Sequence, residues 1–73
     1  MSTLIVLFDR LERQLMTADE AVTIAGDLAR NGQMPRAKAN VFLIAGLVAK
    51  ANRTAGALVT EALTSKLNES NDQ

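Results

Sequence analysis

One stretch punctuates this chain: Asn31-Gly32-Gln33-Met34-Pro35. Gly32 suits the residue just past a helix end, where the backbone turns left-handed. Pro35 suits the first turn of a following helix, where its missing N–H costs nothing. The sequence therefore predicts a helical arm over 3–30, a turn over 31–34 and a second arm over 35–67, followed by a polar tail over 68–73. Only one Pro and four Gly occur in 73 residues, and Ala and Leu are abundant. That composition argues against a sandwich or barrel and for a single all-α domain.

Both arms carry apolar residues at alternating steps of three and four. In the first arm these are Leu4, Phe8, Leu11, Leu15, Ala18, Val22, Ala25 and Ala29. In the second they are Val41, Ile44, Val48, Ala51, Ala55, Leu58 and Ala62. Folding the arms about Gln33 pairs residues whose numbers total 66, and large residues then mostly meet small ones. That is the pattern of an antiparallel helical hairpin with a close seam. Thr17-Ala18-Asp19-Glu20 fits a capping box that would split the first arm near Thr17. The unbroken stripe favours one helix, or two nearly coaxial ones. Gly46 and Gly56 each cost about 1 kcal/mol in a helix and would let another backbone approach. A kink in the second arm is expected, if anywhere, at Asn52-Arg53-Thr54.

A hairpin of this size is short of core. Below about 80 residues a single core rarely supplies more than roughly 3–5 kcal/mol. The second arm, meanwhile, is apolar all round between Val41 and Ala49. Phe42, Leu43, Gly46, Leu47, Ala49, Gly56, Val59 and Leu63 fall outside the seam and are the expected partner interface. A helix apolar on every side is buried on every side. The expectation is a helical bundle completed by oligomerisation, a dimer first, or by a protein partner.

Chemistry finds little support in the residues. With no His and no Cys, imidazole, thiolate and Cys/His zinc chemistry are out of reach. Asp19 and Glu20 are adjacent and point about 100° apart on a helix rather than converging. Asp9, Glu12, Asp19 and Asp27 match no calcium loop. No catalytic residue, metal site or cofactor is expected, and the chain reads as a non-enzyme. The net charge is zero, but residues 28–60 carry Arg30, Arg36, Lys38, Lys50 and Arg53 with no acid between them. This allows a second reading, a small DNA-binding regulator in which Arg36, Lys38 and Asn40 open the second helix and meet the duplex. Against it stand the apolar run that follows and a pI near 6.1. The simpler role for Arg36 and Lys38 is to flank the turn and pair with Asp27. Lys50 and Arg53 interrupt the second apolar stripe, where they would either pair with acids of a partner or snorkel to water.

The apolar start Leu4–Phe8 has no basic residue before it and stops at Asp9-Arg10, unlike a signal peptide. The run Val41–Ala49 is far below the roughly 20 residues of a membrane span. A reducing cytoplasm is the expected location. In length, in a turn containing Gly32 and in its apolar second arm, the chain looks like the small helical-hairpin co-chaperones of bacterial type III secretion needle subunits. It is equally similar in outline to small dimeric hairpins that pair into four-helix bundles. The first resemblance implies a protein that keeps a hydrophobic subunit soluble together with a second chaperone. No site residue is carried over from it.

Overall fold

A computed structural model describes the backbone of residues 2–71 and the side chains of residues 2–64. Two helices account for it: α1, Thr3–Arg30, and α2, Met34–Asn71. They lie against each other as a hairpin, in a body measuring 61 × 16 × 14 Å.

The turn forms for the reasons its sequence suggests. Gly32 has φ +80, the left-handed conformation that a Cβ disfavours. Gln33 N–H donates to Leu28 O at 2.8 Å and Gly32 N–H to Ala29 O at 3.2 Å. This pair of bonds is a Schellman motif, which satisfies the last carbonyls of α1. Gln33 O then accepts from Ala37 N–H and opens α2, with Pro35 inside its first turn. Asp27 pairs with Arg30 at 2.6 Å, one turn along its own helix, rather than with Arg36 or Lys38. Both groups are exposed, so the pair adds little stability. Arg36 instead donates to Gln33 Oε1.

α1 runs unbroken through Thr17. Its hydroxyl donates to Arg13 O, a bond made inside a helix and not at a cap. α2 likewise passes through Asn52-Arg53-Thr54 as one helix and begins at Met34. Its backbone continues to Asn71, into the segment the sequence suggests as a polar tail; residues 72–73 of that tail lie outside the described residues. With 38 residues against 28, α2 outreaches α1 by about 15 Å at 1.5 Å per residue.

The seam is rotated from the one the periodicity suggests. On α1 the buried or half-buried row is Leu4, Leu7, Leu11, Gln14, Ala18, Ala21, Ala25 and Leu28. On α2 it is Ala37, Asn40, Ile44, Leu47, Ala51, Thr54, Leu58 and Glu61. Half of each expected stripe is kept. Of the other half, Phe8, Leu15, Val22, Val41 and Val48 are turned outward and exposed, while Ala29 and Ala55 stay half-buried. The most buried positions are mostly alanine (Ala18, Ala21, Ala37 and Ala51), which lets the two backbones come close. Asn40 Nδ2 donates to Ala21 O at 3.0 Å, the one side-chain hydrogen bond between the helices among the described residues. It pairs residues whose numbers total 61, so the register is also displaced from 66. A buried polar residue with one good acceptor fixes register in this way.

Gln14 is the weak point of the seam, because its Oε1 is buried without a hydrogen-bond partner. Gln14→Leu is therefore expected to raise stability by about 1–2 kcal/mol, since a buried unsatisfied acceptor costs that much. Urea unfolding of the two proteins would measure it. An unchanged or lower midpoint would mean that a neighbour such as Lys50 satisfies Oε1 in solution.

Candidate interaction surface

The hairpin has two broad faces, and the sequence makes them unlike. On one face the flanking rows of both helices are wholly apolar. Phe8, Leu15, Val22 and Ala29 line α1, while Val41, Val48, Ala55 and Ala62 line α2. Each row repeats every seven residues, so each stays on one side of its helix. Between them lies a shallow hollow of about 290 Å³ lined by Leu11, Leu15, Val48, Ala51, Asn52 and Ala55. Phe8 is 58% exposed.

The opposite face is polar and basic. Leu7, Arg10, Gln14, Lys50, Arg53, Thr54 and Ala57 line one depression there. Arg13, Gln14, Thr17, Leu47 and Lys50 line the next. Lys50 and Arg53 thus sit beside the seam with their charges in solvent, not within an apolar stripe. Thr54 is buried among them, its hydroxyl bonded to Lys50 O.

A third surface is the outer side of α2. Phe42, Ala49, Gly56 and Leu63 recur every seven residues there, and Phe42 is 80% exposed. Of the interface expected from sequence, Phe42, Leu43, Gly46, Ala49, Gly56, Val59 and Leu63 are all exposed. Leu47 is not free in the same way: it is half-buried in the seam row, because the rotation of α2 brings it round. Gly46 and Gly56 admit no close neighbour within the hairpin; a Cβ on either would meet nothing within 4 Å. Asn40, suggested as a base contact, is drawn into the seam by its bond to Ala21.

The sequence reading did not separate the Phe8–Val48 face from the seam. The signal was present as a third apolar heptad position, since a helix in a bundle shows three such positions where a two-helix seam needs two. Among the described residues no three carboxylates gather as cation ligands would. Met34–Thr64 is long and apolar enough, by length and composition, to cross a membrane. The uninterrupted run Val41–Ala49 does not reveal this, because the window includes the polar residues around it. Comparison with protein-family models, curated proteins and solved structures finds no match.

Proposed function

We propose that this chain is a small non-enzymatic helical interaction module, adaptor or chaperone-like in type, acting as a homo-oligomer or on a protein partner. One observation carries the reading. Fourteen large apolar residues among those described are exposed, while no side chain is fully buried. A water-soluble monomer rarely leaves so much apolar surface in contiguous rows. A secretion-system co-chaperone would be one module of this kind, and a reducing cytoplasm suits a chain without cysteine.

Two other uses of the apolar surface are less favourable. A membrane span through α2 would carry Lys50 and Arg53 near its middle, and each charge costs about 2.5–3.5 kcal/mol at a bilayer centre. Duplex binding through the start of α2 would draw on Arg36, Lys38 and Asn40. Of these, Arg36 is bonded to Gln33 and Asn40 to Ala21.

Sedimentation equilibrium of the purified chain tests the proposal. A mass above that of one 7.8 kDa chain is expected at micromolar concentration, with dissociation on dilution. A stable, folded monomer over the whole range would overturn it.

A further inference from the structure

We infer that a second copy of this chain covers the face bearing Phe8, Leu15, Val22, Val41 and Val48, with both hairpins pointing the same way. In this dimer α1 of each copy lies over α2 of the other. The inference rests on the interaction-module reading and names its first partner.

The relief of the face points to a copy of itself. The hollow is lined by Leu11 and Leu15 on α1 and by Val48, Ala51, Asn52 and Ala55 on α2, nearer the turn than Phe8, and Leu15 at its rim is 53% exposed. One face thus offers an exposed leucine on α1 and small residues, Ala51 and Ala55, on α2, at one height. A two-fold axis parallel to the helices preserves height and exchanges the two sides. It therefore carries each Leu15 onto the other copy's hollow, with Phe8 packing farther toward the open end, an isologous contact made twice.

Charge selects the same arrangement. The outer flank of α1 beside this face carries Glu12 and Asp19, whereas the corresponding flank of α2 carries Lys38, Ala45, Asn52 and Val59. α1 over α2 sets acids near a flank that has a lysine and no acid. The other two-fold arrangement runs at right angles to the helices and stacks α1 on α1. With α1 fully overlapped on its antiparallel copy it would set Glu12 near the other copy's Asp19, twice, and like charges facing across an interface are unfavourable.

The chain exposes 5614 Å², whereas a compact monomer of this mass would expose about 4,400 Å². The excess, about 1,200 Å², is spread along a body 61 Å long, and a standard interface of roughly 800 Å² per partner would cover part of it.

Disulfide mapping tests the arrangement, and the absence of native cysteine leaves it free of background. Chains carrying Glu12→Cys are mixed with chains carrying Asn52→Cys and mildly oxidised. Both substitutions lie on the surface and leave the seam intact. The mixed disulfide is expected to dominate, because these flanks adjoin when α1 lies over α2. Dominance of the Glu12→Cys self-disulfide would overturn the inference in favour of α1 on α1. So would the absence of any cross-link in a population that sediments as a dimer. Phe8→Glu is expected to raise the dimer dissociation constant at least about 100-fold, as loss of two symmetric aromatic contacts should. An undiminished dimer in Phe8→Glu would also overturn the inference, yet would leave the interaction-module reading standing. A folded monomer in the unsubstituted chain would remove both.

Discussion

Leu58→Ala is expected to strip the hairpin of about half of its own stability. Among the described residues, Leu58 and Leu7 are the only large aliphatic side chains that are buried; the remaining buried apolar ones are alanines. Leu58 is 9% exposed and, by the register of the seam, stands across from Leu4. It is thus the clamp that holds the first turns of α1, which begin at Ser2 without a side-chain cap. Cutting a buried leucine to alanine costs about 2–5 kcal/mol, and the rim position places this site toward the lower end. A core of this size supplies only about 3–5 kcal/mol in all. Urea unfolding should therefore show the midpoint lowered by about half. Hydrogen exchange should show Thr3–Arg10 losing protection before the turn end does. A loss below about 1 kcal/mol would mean that the open end contributes little, and that the alanine seam near Ala21 and Ala37 carries the fold.

The contrast between Leu58 and Phe8 shows which parts of this fold could be read from residues. The turn could, because its determinants are local. Gly32 supplies φ +80 and Pro35 is compatible with a first helical turn, whatever the helices do later. The split at Thr17 could not be decided locally. A capping box favours a helix start, but Leu11, Gln14, Ala18 and Ala21 all lie along one seam row, and unbroken burial holds the helix through. The seam itself was half legible. Leu4, Leu11, Ala18 and Ala25 recur in both the expected and the observed rows, but every second position moved by one residue. Reading apolar as inside excluded Gln14, Asn40 and Thr54, all of which the structure draws inward. Two of them meet the cost of burial with their own hydrogen bonds, Asn40 to Ala21 O and Thr54 to Lys50 O. Those bonds depend on how closely the helices approach and at what rotation, and periodicity carries neither. The same rotation explains the surplus: it leaves the large residues of the third heptad position, among them Phe8, Leu15, Val22, Val41 and Val48, on the surface, for the neighbour we propose.

If that neighbour is a second copy, thermal stability should depend on concentration. Only the folded dimer is favoured by mass action, so the midpoint must rise as the chain is concentrated. Two chains of 73 residues unfolding together absorb on the order of 100 kcal/mol, which makes the rise about 5 °C for each tenfold in concentration. Melting curves followed by circular dichroism across three decades would resolve it. Two variants then separate the apolar surfaces. Phe42 lies on the outer row of α2 and is 80% exposed, so Phe42→Glu should keep the full slope. Phe8 lies on the face between the helices, so Phe8→Glu should flatten it. A flat response in the unsubstituted chain would mean that no self-association stabilises the fold. A slope lost in Phe42→Glu and kept in Phe8→Glu would move the self-contact to the outer row. The Phe8 face would then be left for a different protein. Retention of the slope in Phe42→Glu leaves the outer row of α2, with Gly56 and Leu63, as surface still exposed in the dimer. A chaperone-like module needs such a surface for the chain it holds.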